Sequence, residues 1–244
     1  MRLVFMGTPA FAVPSLEGLA EAGHQLVGVF SQPDKPVGRH HNKLQPTPVK
    51  ERALARGIPV YQPETLRDGT ALSILQELAP ELIVVAAYGR FLPDEILALP
   101  PKGCINVHSS LLPKYRGSAP INWAILNGER VTGVTIQRMV REMDAGDIIL
   151  QQSTPIGETE DAAALYDRLA RLGGELAVEA VAQIQAGTAT CTPQDHTQAT
   201  QAPMLSKAMS PVDWTRSAQE IFNQIRGLYP WPGASTTAIT GEPI

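Results

Sequence analysis

The 244 residues include 43% hydrophobic and 18% charged side chains, with a formal net charge of −4. That composition belongs to a globular chain able to bury a substantial core, not to a disordered or membrane-embedded one. No overall basicity announces nucleic acid. Two distant cysteines, Cys104 and Cys191, lack the spacing of a zinc site or a disulfide framework and suit a reducing cytoplasm.

In chain order, "RLVFMGTP" predicts a buried first strand. Pro9 and Pro14 interrupt the apolar N-terminus, which is too short for a membrane span. A helix is predicted over 10–22, with Gly23 where a C-cap glycine belongs, and "QLVGVFSQPD" as the next strand. This strand, helix, strand order is the unit of a parallel sheet with right-handed crossovers. The pattern repeats with a helix over 48–56, a short strand at "IPVYQP", a helix through "ALSILQELA" and the β-branched run "ELIVVAAYG". Such a run suits a central strand covered on both faces.

"GCINVHSS" reads as a strand, "APINWAILNG" as a helix ended by Gly128, and "TGVTIQRM" as a further strand. Helical spacing over "EDAAALYDRLARLGGELAVEAVAQIQAG" predicts two helices separated at Gly173 and Gly174. From Thr188 to Leu205 the chain turns polar, which predicts a connection across the surface. Ser210 followed by Pro211 resembles a helix start, with a helix around "AQEIFNQIRGL". The residues after Ser210 are too few to close a core of their own. The expected fold class is therefore α/β, with a mostly parallel sheet.

Side chains two apart on a strand share a face, so Asn106 and His108 emerge together near the carboxyl end, where open α/β sheets place their crevices. An imidazole exchanges protons near neutrality, and the amide adds an uncharged donor. The pair alone leaves two accounts open: a reacting pair, or a hydrogen-bonded core histidine beside a capping asparagine. Asp144 and Asp147 flank Gly146 in "DAGD", and a carboxylate there that reached His108 would orient it and favour imidazolium. By itself that sequence is more often a surface turn than a catalytic loop.

"MGTPAF" has the location of a phosphate loop but neither GxGxxG nor GxxxxGK[ST], and no GxSxG elbow is present. His40 and His41 lack an obvious third ligand, so no metal site is expected. Between Asp34 and Arg56 there is a local excess of four positive charges, which fits either phosphate attraction or a solvated face.

"INVHSSLLPKYRGSAPINWAILNG" followed by "TGVTIQRMVREMDAGDIILQ" closely resembles the folate-dependent formyltransferases. The resemblance rests on the Asn-x-His strand end, the SLLP loop, the RG-x-x-P continuation and the D-x-G-D turn. "VVAAYGRFLP" is similar to that family's folate-pocket loop. "MRLVFMGTPAFAVPSLEGL", "FSQPDKPVGR", "PTPVKERALARGIPVYQPETL" and "VDWTRSAQEIFNQIRGLYPWPGA" resemble the branch that acts on aminoacylated initiator tRNA.

The resemblance implies a Rossmann-like, doubly wound catalytic domain over 1–187, a linker over 188–209, and over 210–244 the start of an OB-like tRNA-binding β domain cut short. It implies 10-formyltetrahydrofolate as formyl donor, initiator methionyl-tRNA as acceptor, Asn106, His108 and Asp144 as catalytic residues, and a cytoplasmic monomer. It places the folate against Ala86, Ala87, Tyr88, Gly89, Arg90 and Phe91 and against Ser110, Leu111, Leu112 and Pro113. Arg39 and Lys43 would meet RNA. Related enzymes that formylate amino sugars or glycinamide ribonucleotide, or hydrolyse the formyl group, share the three catalytic positions. A folate- or RNA-binding module without activity is the reading from another class.

Overall fold

The computed structural model describes residues 1–37 and 43–237. Its elements in chain order are β1 (Arg2–Gly7), α1 (Val13–Glu21), β2 (Gln25–Phe30), β3 (Lys35–Val37), β4 (Lys43–Gln45), α2 (Pro48–Ala55), β5 (Val60–Tyr61) and α3 (Thr70–Leu78). They continue with β6 (Leu82–Ala86), α4 (Asp94–Leu97), β7 (Cys104–His108), β8 (Arg116–Gly117), α5 (Pro120–Leu126) and β9 (Val131–Arg138). The last are β10 (Ile148–Pro155), α6 (Ala162–Ala186), β11 (Gln201–Ala202) and α7 (Ala218–Gly227).

Among the described residues, seven strands form one sheet in the order β10-β9-β7-β6-β1-β2-β5. The strands from β5 to β7 pair in parallel, while β9 runs antiparallel to β7 and forms a hairpin with β10. The chain builds outward from β1 to β2 and β5, then returns to place β6 on β1's other side. That reversal opens a crevice at the carboxyl ends of β1 and β6, the usual ligand position in such sheets.

The central strands of the sheet are buried on both faces. One face packs Leu3, Phe5, Val84, Ile105 and Val107 against α1 and α6, and the other packs Val4, Met6, Ile83 and Val85 against Leu75 of α3 and Ile96 of α4. The β-branched run of β6 has no exposed residue, as a strand covered on both sides requires.

Four sequence expectations change. The helix predicted over 10–22 begins as a 3-10 turn, Ala10–Ala12, before α1. The two helices predicted around Gly173 and Gly174 are one 25-residue helix, α6. The glycines serve contact rather than a break: a Cβ at Gly174 would stand 2.9 Å from Pro14 backbone atoms, and one at Gly173 would stand 2.8 Å from Val107. Missing side chains let α6 approach both α1 and the sheet. The helix predicted from Ser210 starts later, because Ser217 and Glu220 form a reciprocal capping box at the head of α7. Ser210 instead closes a 3-10 turn, and Pro211 bridges to Ser235.

The polar connection over 188–205 is not confined to the surface. Its β11 pairs with β8, Ala202 is fully buried, and Gln194 is 5% exposed. Beyond it α7 lies on α5, with Leu228 buried against Ala119 and Leu205, and Asn122 Nδ2 donating to the Gly227 carbonyl at 2.8 Å.

Candidate active site

Pairing of β7 with β9 sets Asn106 opposite Gln137 and His108 opposite Thr135. Asn106, His108 and Gln137 therefore share a sheet face at the crevice. A cavity of about 690 Å³ opens there, lined by Asn106, His108, Gln137 and Asp144, the loop 87–92, and apolar side chains including Val85, Leu97 and Met139.

His108 is 5% exposed, and its Nε2 lies 2.9 Å from the carbonyl oxygen of Tyr115. A carbonyl only accepts, so Nε2 carries a hydrogen. Nδ1 faces Asp144 Oδ1 at 3.5 Å, in ion-pair range but beyond a tight hydrogen bond. Nδ1 is thus the ring atom left to exchange a proton or donate to a bound group. The Asn106 side chain makes no hydrogen bond to protein among the described residues, so its amide is also free to act on a ligand.

The Asp144 carboxylate is fixed by two donors. Gly117 N–H reaches Oδ2 at 2.9 Å, and Gln137 Nε2 reaches Oδ1 at 2.9 Å. Its backbone is left-handed, with φ of 51°. Next to it, Gly146 packs so closely that a Cβ would stand 1.9 Å from the Arg138 carbonyl oxygen. Sequence and packing together force a tight turn that aims one carboxylate back at β7.

The loop 87–91 is held from beneath. Thr8 Oγ1 and Gln32 Nε2 each donate to the Tyr88 carbonyl at 3.1 Å, and Arg90 Nε donates to Gln32 Oε1 at 3.0 Å. The Tyr88 ring is buried, with its hydroxyl pushed above its ordinary pKa by burial, whereas Phe91 is 64% exposed beside the cleft. This cleft pairs an apolar wall with convergent polar groups, which suits a flat heterocycle carrying a polar edge. It sets uncharged and protonatable donors beside one part-buried carboxylate, an arrangement able to stabilise a developing oxyanion.

The family model described as "Formyl transferase" matches residues 1–181, and "Formyl transferase, C-terminal domain" matches 204–244. The chain belongs to the formyl transferase family. The methionyl-tRNA formyltransferase of Alkaliphilus oremlandii is 52% identical over 97% of this chain and 76% of its own length. That of Moorella thermoacetica is 53% identical over the same shares. Among solved structures, a sugar N-formyltransferase from a Shewanella species shares the fold with TM-score 0.74 at 18% identity, covering 100% of this chain and 95% of that one. An N-formyltransferase from Helicobacter canadensis, solved with folinic acid and dTDP-3-aminofucose, gives 0.71 at 24% identity over 92% and 79%.

In this formyl transferase the structure brings Asn106, His108 and Asp144 together and lines the cleft with Ala87, Tyr88, Gly89, Arg90 and Phe91. Ala86 and the run Ser110 to Pro113 do not line it. Ala86 is fully buried at the end of β6. Ser110 Oγ donates to the Lys114 carbonyl at 2.7 Å, and Leu112 N–H donates to Thr135 Oγ1 at 3.2 Å. Gln151 Nε2 donates to the Leu112 carbonyl at 2.9 Å. This loop leads into the turn whose Tyr115 carbonyl meets His108. Arg39 lies outside the described residues, as does the side chain of Lys43.

Two residues were not singled out from sequence. Gln137 is a polar side chain that follows Val134 and Ile136 in β9, and its alternation with them was a usable signal. Gln194 sits in the polar run "CTPQDH", where no periodicity marks it.

Proposed function

We propose that this chain transfers the formyl group of 10-formyltetrahydrofolate to the α-amine of methionine on initiator tRNA. The observation that carries the reading is the meeting of His108 and Asp144 beside a free Asn106, in a chain 52% identical to a methionyl-tRNA formyltransferase. The cleft fits the folate donor: Ala87 to Phe91 offer backbone polar groups, and Val85, Leu97 and Met139 offer apolar walls. When bound, that donor supplies a formyl carbon open to attack by the amine.

Asn106 and protonated His108 Nδ1 donate to the charge that develops on the formyl oxygen. Asp144 stands beside Nδ1, sustains the imidazolium and passes the proton released by the attacking amine toward the leaving nitrogen. Gly117 N–H and Gln137 hold that carboxylate still, so no reorganisation accompanies the step.

In this reading 1–187 perform transfer, 188–209 connect, and 210–244 belong to a C-terminal β domain that helps hold tRNA. The family match over 204–244 supports the last assignment. The protein works as a cytoplasmic monomer, and Arg39 and Lys43 contribute to RNA binding.

Incubation with charged initiator tRNA and 10-formyltetrahydrofolate tests the reading. Formation of N-formylmethionyl-tRNA supports it. Folate binding without product, or faster formylation of a free amine or water, overturns it.

A further inference from the structure

We infer that Gln194, on the stretch between α6 and β11, is a positioning residue for formyl transfer, holding the Asp144 turn from outside the cleft. The inference rests on the reading that Asp144 acts on His108. Gln194 is 5% exposed and saturated at both ends of its amide. Its Oε1 accepts from Arg116 Nη2 at 2.7 Å and Nε at 3.2 Å. Its Nε2 faces the carbonyls of Asp144 at 2.9 Å and Gly146 at 2.7 Å, with Gln137 Oε1 at 3.3 Å.

The amide has only one workable orientation. Guanidinium only donates and carbonyls only accept, so oxygen must face Arg116 and nitrogen must face the turn. Glutamine alone among side chains of this length offers both an acceptor and two hydrogens.

The two carbonyls it bridges flank Ala145, in the turn whose first residue holds a left-handed φ of 51°. A backbone in that region persists only where its surroundings over-determine it. Gln194 also reaches Gln137, the same residue whose Nε2 donates to Asp144 Oδ1. One side chain therefore fixes the backbone of the turn and touches the donor that fixes its carboxylate. Arg116, anchoring the other end, is 4% exposed and immediately precedes Gly117, whose N–H holds Asp144 Oδ2. Gln194 thus holds the backbone of the turn and touches the Gln137 donor directly, while the Gly117 donor follows its partner Arg116 in the chain.

The test compares Gln194→Ala, Gln194→Glu and Asp144→Ala in this chain, with exposed Gln198→Ala as control. Gln194→Glu keeps the shape and the acceptor toward Arg116 but removes both hydrogens facing the turn. In folded variants, confirmed by melting, both Gln194 changes lower kcat on the order of 10- to 100-fold while KM for 10-formyltetrahydrofolate changes little. Hydrogen exchange at the Gly117 amide, which reports the place of the carboxylate, becomes faster. Unchanged kcat and unchanged Gly117 exchange in folded Gln194→Glu, with turnover lost in Asp144→Ala, overturn this inference and leave the role of Asp144 standing. A parallel collapse of folate binding and turnover also overturns it, as the mark of a merely structural residue. Undiminished turnover in Asp144→Ala removes both.

Discussion

His108 Nδ1 lies 3.5 Å from Asp144 Oδ1, and the two side chains are 6% and 11% exposed. A pair this secluded keeps its mutual attraction from being screened by solvent. His108→Ala and Asp144→Ala should each lower turnover about 10²- to 10³-fold, the usual cost of losing a preorganised donor or its support. Asp144→Asn should lose nearly as much, because an amide retains the shape but not the negative charge that faces Nδ1. Affinity for the folate donor should change little in all three, since its walls lie on the loop 87–91. Steady-state kinetics with both substrates varied check this, and near-normal kcat in any of the three variants would remove the assignment.

The strand ends of this site were legible in sequence, and the connections were not. Alternation alone put Asn106 and His108 on one face of β7, because strand geometry has period two whatever the tertiary context. Asp144 could be suspected but not placed, since its approach depends on a left-handed backbone and on Gly146 packing against Arg138, neither of which has a local pattern. The loop Ser110 to Pro113 was legible as a motif and its role was not: its polar groups point into the β9 and β10 hairpin rather than the cleft. Gln194 was invisible because a polar run reads as solvent-exposed until a long-range partner buries it. Gly173 and Gly174 were misread for a related reason. Propensity counts the cost of a helical glycine, while only packing shows that α1 has moved in to use the space.

Gly174→Ala should destabilise the protein even though alanine favours helix. A Cβ there meets Pro14 backbone atoms at 2.9 Å, and the backbone of α1 cannot swing away as a side-chain tip would. Overpacking of this kind costs about 1–3 kcal/mol, enough to outweigh the roughly 1 kcal/mol of propensity that alanine contributes. Urea unfolding followed by circular dichroism should show a lower midpoint than the wild type. An unchanged or raised midpoint would mean that α1 and α6 separate freely.

The head of α7 makes a pH-dependent contribution. Glu220 accepts from Ser217 N–H at 3.0 Å and from its hydroxyl at 2.7 Å, which with the Arg216 guanidinium holds the carboxyl down at about 2 from an ordinary 4.5. A depressed folded value means that the stabilisation is present above 4.5 and is lost as pH falls toward about 2. The stability difference between wild type and Glu220→Gln should therefore be full near neutrality and shrink across that window. Ser217→Ala, which removes the cap itself, should cost about 1 kcal/mol and persist at low pH. Parallel thermal melts at several pH values separate the two, and a Glu220→Gln difference that grew on acidification would contradict the capping account.

Arg226 ties α7 to the turn that precedes α6. Its Nη1 donates to the carbonyls of Gly157 at 3.1 Å and Glu160 at 3.0 Å, and its Nε and Nη2 both reach Asn223 Oδ1. The residue is 8% exposed, and burial pulls its pKa below the ordinary arginine value without threatening its charge. Arg226→Met keeps an apolar stem and removes every one of these donors, together with the guanidinium carbon that lies 5.5 Å from the Phe222 ring centroid. The carbonyl of Glu160 then loses a buried partner, at about 1–3 kcal/mol. Because Gly157 and Glu160 sit ahead of α6 rather than at the cleft, the variant should loosen α7 from α5 while folate binding holds. Hydrogen exchange localised to 218–228, measured beside a folate titration, decides it. Unchanged protection of α7 would assign its docking to Leu228 and the Asn122 bond instead.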